Sequence, residues 1–532
     1  MKRNIFLIIA LFVSVYSFGQ GEIDAYRISK NDLSGTARGQ AMGGAFGALG
    51  GDATGIAINP AGIGIYRSSE ILLNLGLTFN QTSALLNGTK TSKGNTPFSC
   101  DNFGYVGYFP LEKQKGDYSI NFGFNYNRLK NFDRKYQVSG SGMGASLTDY
   151  IADITTRQNI TRSWWGNNSD NQFFASDAPH WLSILGWNTW LINPISDSPN
   201  ETGYVSRFPN GKVDPRLYVS ESGSIGAYDF TLGANLNNKV YVGGTIVYTD
   251  ISYNAFVLYG EDFVNGVSFN LSNDYSTQGS GVQLKVGVIG RPTDALRLGL
   301  SYQSPTWYDL TDSYSGTLEP VNVRDDNNNV VGPVSTPKWD EENNVVNYYK
   351  YNFRTPDVWT LSAAYIIGQA AIISLDYEYK DYGKMKFSPR FMNDANFSNE
   401  NQYIQEDFKG VSTIRAGFEY RFSPQFSGRL GSAWMQQPYS SQFKNGGIEV
   451  MTPGTIPNYT IDGSSLYLTG GVGFRFTPQF YMDLALVYRT QQDDLYFFSP
   501  TFYDDGSRCV DSTPAKLKNN SFKTLLTMGY KF

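Results

Sequence analysis

The sequence predicts an all-β chain: an antiparallel transmembrane β-barrel of about 14 strands with an N-terminal hatch inside the lumen. Three observations carry this. The last twelve residues, Ser521 to Phe532, set Phe522, Leu526, Met528, Tyr530 and Phe532 on one side of a period-two strand. Lys523, Leu525, Thr527, Gly529 and Lys531 fall on the other, so one face suits lipid and the other a wet lumen. At the opposite end, Lys2 and Arg3 precede an apolar run from Ile5 to Val15, and Ser17 and Gly19 supply the small residues a signal peptidase reads. Finally, aromatics make up 15% of the chain, with 37 Tyr and 35 Phe. No later stretch reaches the roughly 18 consecutive apolar residues of a membrane helix, so the aromatics read as interfacial girdles of a barrel.

Residues 1–20 therefore read as a signal peptide, cleaved near Gly19 or Gln20. Residues 21–69 read as the hatch, and 70–532 as the barrel with long extracellular loops. No cysteine follows the leader, which argues against a lipid anchor. Removing Lys2 and Arg3 takes the formal charge from -5 to about -7. An acidic chain lacks the basic excess of a nucleic-acid binder, so none is expected as a partner.

Alternation recurs along the chain. Ile71, Leu73, Leu75, Leu77 and Phe79 share a face, as do Ile120, Phe122, Phe124 and Tyr126, and Ile414, Ala416, Phe418, Tyr420 and Phe422. Six short connections carry turn-forming residues: Pro110 to Gly116, Asn237-Asn238, Pro292 to Ala295, Gly368-Gln369, Ser423 to Gln425 and Thr477 to Gln479. They alternate with seven longer segments, read as loops near 81–100, 138–216, 260–280, 311–350, 388–408, 438–462 and 499–518. Short turns face the periplasm in outer-membrane barrels and long loops face outward, which gives the strand number.

Residues 21–69 break this rhythm with glycines at 35, 39, 43, 44, 47, 50, 51, 55, 62 and 64. No Gly-Lys-Ser/Thr follows them, so a phosphate-cradling loop is not indicated. The run Ala41-Met42-Gly43-Gly44-Ala45-Phe46-Gly47-Ala48-Leu49-Gly50-Gly51-Asp52, followed by Asn59-Pro60-Ala61-Gly62-Ile63-Gly64, resembles the hatch of the FadL-like outer-membrane transporters of long-chain fatty acids and other hydrophobic compounds. The resemblance implies a monomeric 14-stranded barrel and passive diffusion of a hydrophobic ligand past the hatch, with a sideways exit beside a kinked third strand. It implies no cofactor, no enzymatic activity and residence in the outer membrane, with lipids and the barrel-insertion machinery as partners. An alternative within the resemblance is a carrier of the type IX secretion machinery that binds secreted cargo. The longest loop here is the second, whereas the family builds its outer groove mainly from the third and fourth.

Candidate site residues follow. Asn59, Pro60, Ala61 and Gly62 are expected to form the gate turn of the hatch. Trp164, Trp165, Trp181, Trp187 and Trp190, five of the nine tryptophans, sit in the second loop, either as a ligand-capturing lid or as a loop that folds on its own small core or rests on lipid headgroups. Inward Arg, Lys, Asp and Glu, among them Arg297, Asp376, Glu378, Arg415, Glu419, Arg429, Asp483 and Arg489, are read as a salt-bridge network holding the hatch. Tyr530 and Phe532 are read as the insertion signal, and Cys100 and Cys509 as a possible disulfide across the barrel seam. His180 is the only histidine, so no multi-histidine metal site can form, and a role as haem ligand or hydrolase base has no supporting neighbours. Asp325 to Asn329 lacks the glycine and glutamate of a calcium loop and reads as a hairpin tip.

Overall fold

The computed structural model describes residues 21–532 except 112–117, 169–171, 174, 176, 209–211, 338–347, 369, 392–395 and 504. The signal peptide and most of the 110–116 turn therefore lie outside the described residues. Fourteen antiparallel wall strands follow one another in chain order. They are β1 (Glu70–Leu86), β2 (Phe98–Pro110), β3 (Tyr118–Asn131, resuming as Arg134–Ser139), β4 (Val213–Leu236), β5 (Val240–Phe263) and β6 (Ser268–Gly290). Next come β7 (Leu296–Gln303, resuming as Trp307–Val321), β8 (Tyr348–Arg354, resuming as Val358–Ile367) and β9 (Ala371–Asp381, resuming as Lys386–Pro389). The last are β10 (Gly410–Arg421), β11 (Phe426–Met435), β12 (Tyr459–Arg475), β13 (Phe480–Tyr496) and β14 (Ala515–Lys531). β14 pairs with β1 from Glu70 opposite Lys531 to Leu85 opposite Lys516, which closes the barrel and removes the sheet edge.

The predicted alternation appears as two faces. Leu298, Leu300, Leu361, Ile373, Leu375, Leu484 and Leu486 are exposed on the outside, a continuous apolar band that only lipid can cover. Asn121, Asp229, Asp312, Asp376, Asp483 and Thr527 are buried on the inside. No helix among the described residues is long and apolar enough to span a membrane.

Two loop assignments need correction. The segment 260–280 is not a loop: β5 and β6 pair without interruption from Val240 opposite Gly290 to Asp262 opposite Ser268. β4, β5 and β6 run 24, 24 and 23 residues, whereas a membrane strand needs about 9 to 11. Their upper halves stand in water, so serine, asparagine and glycine replace the lipid-facing apolar residues and imitate turn composition. Segment 81–100 likewise contains the end of β1, a hairpin strand (Thr89–Asn95) and the start of β2.

The third strand is broken at Phe132-Asp133. β7 and β8 break at Ser304-Pro305-Thr306 and Thr355-Pro356-Asp357, where each proline lacks a ladder donor. The threonines beside them repair the gap: the Thr306 amide donates to Thr355 Oγ1 at 2.8 Å and the Thr355 amide to the Thr306 carbonyl at 3.1 Å.

Candidate functional site

The hatch fills the lower lumen with α2 (Ala37–Ala41), α3 (Ala53–Ile58) and a 3-10 turn (Pro60–Ile65), while α1 (Glu22–Ser29) reaches up to the outer loops, where Glu22 accepts from the Met451 amide and Tyr26 packs on Phe408 and Tyr439. Asn59 leads that turn. Its side-chain oxygen accepts from the Ala61 amide at 3.1 Å, and its amide group donates to the Gly47 carbonyl at 2.8 Å and to the Val288 carbonyl of β6 at 3.2 Å. The wall opposite is made of glycine because nothing larger fits. A Cβ on Gly287 would lie 1.9 Å from Asn59 Oδ1, and one on Gly243 would lie 2.4 Å from the Pro60 carbonyl. Asn59, Pro60, Ala61 and Gly62 are all buried. The turn is thus an anchorage against β5 and β6.

The opposite side of the hatch is held by charge, as the alternating signs suggested. Glu419 accepts from Arg38 of α2 at 2.8 Å and from Arg429 at 2.7 Å, and Arg429 reaches Asp483 at 2.6 Å. Arg415 pairs with Glu378 at 2.6 Å, Asp376 accepts from the Gly47 amide at 2.9 Å, and Arg297 donates to the Leu49 carbonyl at 2.6 Å. Each of these charges therefore has a charged or backbone partner, as burial demands.

Above this floor lies a cavity of about 220 Å³ between α1 and the inner faces of β1, β3 to β6, β13 and β14. Tyr26, Phe132, Tyr136, Tyr253 and Tyr275 give it aromatic walls, joined by Ile23, Leu33, Val219 and Val487. Its charges are mostly paired: Lys30 with Asp462 at 2.6 Å, Arg134 with Glu221 at 2.6 Å and Lys523 with Asp101 at 2.8 Å. Lys130, at the break in β3, forms no ion pair among the described residues and lies 5.6 Å from the Phe132 ring. The sequence reading missed this lysine; its place one residue before the end of a strand segment was the available signal.

The second loop roofs the barrel. It contributes α4 (Leu147–Arg157), α5 (Arg162–Asn167) and α6 (Trp181–Asn188). Trp165 stacks on Trp187 at 5.0 Å and donates to the Tyr204 hydroxyl at 2.9 Å, while Trp164 donates to Asp177 at 3.0 Å. Trp181 packs on Tyr314 of β7, and Trp190 lies under the Arg207 guanidinium. Trp164, Trp165 and Trp181 are buried, Trp187 and Trp190 partly so. Of the two roles left open for these five, the loop-core role fits this packing. α6 is capped by His180, whose Nδ1 accepts from the Leu182 amide at 3.2 Å. Burial lowers the His180 pKa to about 4, which keeps that nitrogen free to accept. Asp325 accepts from the amides of Asn327 and Asn329 and closes the expected hairpin tip.

The expected disulfide is not formed: Cys100 and Cys509 are both free thiols. Cys100 lies within β2 opposite Leu75 rather than in a loop, and Cys509 donates to Asp153 Oδ1 at 3.2 Å on the roof. Tyr530 and Phe532 project outward from the closing strand with rings 6.4 Å apart. Among the described residues no cluster of three or more His, Cys, Asp or Glu is arranged to hold a metal ion.

No family model matches the chain, and no curated protein matches it in sequence. Solved structures do match over nearly the whole length. A Pseudomonas aeruginosa FadL homologue aligns at TM-score 0.52 and 11% identity, covering 95% of this chain and 100% of that one. The CymD monoaromatic hydrocarbon channel aligns at TM-score 0.45 and 13% identity, covering 94% and 99%, respectively. The P. putida toluene transporter TodX aligns at TM-score 0.45 and 12% identity over the same shares. With 14 strands, a closed seam, a lipid-facing apolar band and a hatch in the lumen, the chain is an outer-membrane β-barrel with the fold of the FadL-like proteins.

Proposed function

We propose that this protein is a passive outer-membrane channel for hydrophobic or amphiphilic small molecules. The observation that carries the reading is the aromatic cavity above the hatch, which holds the Lys130 amine with no ion pair among the described residues, Asp32 being the carboxylate that acts on it from the same cavity wall. Aromatic walls take an apolar body, and an unpaired cation takes a carboxylate head. The volume sets the scale. A cavity of about 150 Å³ admits benzene, so about 220 Å³ holds a monoaromatic ring or the head and first carbons of a chain, but not a whole long-chain fatty acid. A long chain requires α1 to move, since α1 supplies Ile23, Tyr26, and Arg27 to the cavity wall.

The Asn59 turn then acts as the fixed end of the hatch and α1 as its movable end. The names of the matched structures, a toluene transporter and a monoaromatic hydrocarbon channel, are consistent with small apolar cargo. Uptake of radiolabelled oleate and toluene into cells that lack their own channels tests the reading. Expression should raise uptake of at least one compound, and Lys130→Gln should weaken uptake of the carboxylate more than that of toluene. Equal uptake with and without the folded protein would refute it.

A further inference from the structure

A second cavity, about 300 Å³, opens below the hatch on the short-turn side of the barrel. It is bordered by Arg38, Arg67, Arg297 and Lys531 together with Gly50, Gly51, Ser68 and small apolar residues, and no carboxylate lines it. Arg38 is committed to Glu419. The other three form no ion pair among the described residues. Arg297 spends one guanidinium nitrogen on the Leu49 carbonyl, and its Nε is buried with no partner. Arg67 is held by the Gly64 and Tyr66 carbonyls at 3.0 Å and by Asn238. Lys531 lies 5.5 Å from the Tyr481 ring.

The nearby acids are occupied. Asp52 accepts from the Thr36 hydroxyl at 2.8 Å and the Thr54 amide at 2.9 Å; Glu70 accepts from Tyr481 with one oxygen and lies across the seam from Lys531, the one cation of the three with a carboxylate beside it. An adjoining recess adds Arg421 and Arg475, which form no ion pair among the described residues, together with the carboxylates of Asp52, Glu419 and Asp483. Arg67, Arg297 and Lys531 thus gather in a cavity that no carboxylate lines, in a chain whose formal charge is -5. Like charges held together without an anion repel, and the buried Nε of Arg297 lacks the partner that buried donors normally have.

We propose that this vestibule is an oxyanion site for the carboxylate or phosphate head group of an amphiphile, held by Arg297, Arg67 and Lys531. Guanidinium groups receive both oxyanions in two-pronged geometry, and the apolar residues Leu49, Ile65, Ile366 and Ile372 beside them receive the first carbons of a tail. The head group comes either from a cargo molecule leaving the hatch or from a phospholipid of the inner leaflet.

The full mature protein, delipidated in a neutral detergent, is titrated calorimetrically with octanoate, phosphatidylglycerol micelles and inorganic phosphate. Octanoate or phosphatidylglycerol should bind, and Arg67→Gln/Lys531→Gln should weaken that binding at least 10-fold, with Lys130→Gln leaving it unchanged. Arg67 and Lys531 lie at the rim, so this variant keeps the hatch contacts of Arg297. Binding of phosphatidylglycerol without octanoate assigns the site to the leaflet lipid; binding of octanoate as well assigns it to cargo. Binding that is insensitive to Arg67→Gln/Lys531→Gln, binding abolished by Lys130→Gln alone, or inorganic phosphate as the only ligand would each overturn the proposal. None of these readouts involves transport, so the site is judged separately from the channel reading.

Discussion

At the scale of single residues, the hatch is fitted to the wall by absence as much as by contact. Gly287 and Gly243 have no side chain where Asn59 and Pro60 approach, and Asn59 uses both ends of its amide. Asn59→Ala removes three hydrogen bonds and should cost about 2 to 3 kcal/mol of hatch stability, because buried carbonyls lose their donor. Gly287→Val should do more, since its Cβ alone overlaps Asn59. Hydrogen exchange of the hatch amides measures both, and the wall amides should stay protected. Glu419→Gln leaves Arg38 and Arg429 without their shared carboxylate. Breaking such a buried pair costs about 3 to 5 kcal/mol, readable as a lower temperature for loss of the compact form on gels. The sequence shows that lumen charges alternate in sign, but the partner of each depends on register across strands. This is why Lys130 was not separable from the paired cations.

At the scale of elements, the strands were legible because each must present alternate residues to two different solvents. The same rule explains the errors. Above the membrane the outer faces of β4 to β6 meet water, the apolar residues such as Val257, Tyr259, Phe269 and Leu271 turn inward, and Ser272, Asn273 and Asp274 look like a turn although they pair with Thr317, Gly316 and Ser315. In the second loop a histidine caps α6, because burial removes its charge and leaves Nδ1 free to accept. Deleting Tyr530 to Phe532 removes the outward aromatics of the closing strand and its last pairings with β1 near Glu70. The expected result is a severalfold drop in folded protein recovered from outer membranes, scored by heat-modifiable mobility. Undiminished recovery would remove these residues from the insertion signal. Deleting residues 21–64 should instead leave insertion intact, since all wall pairings lie beyond it.

At the scale of the molecule, a sealed wall, a hatch pinned by glycine contacts on one side and ion pairs on the other, and a tryptophan-packed roof enclose one mixed aromatic and cationic cavity. On the proposed reading such an arrangement admits small amphiphiles; no metal cluster is found among the described residues. The sequence alone suggested the barrel and the plug. It did not show that the tryptophans pack inward, nor that the cavity is smaller than a long-chain fatty acid, because both depend on how separate loops meet.

The most direct measurement compares uptake of labelled oleate and toluene in cells carrying equal amounts of folded wild-type protein and the variant lacking residues 21–64. The account predicts protein-dependent uptake by the wild type and a changed rate or altered selectivity once the plug is gone. Uptake at the background rate for both compounds in both strains, together with loss of secreted proteins from the cell surface when the gene is deleted, would contradict it.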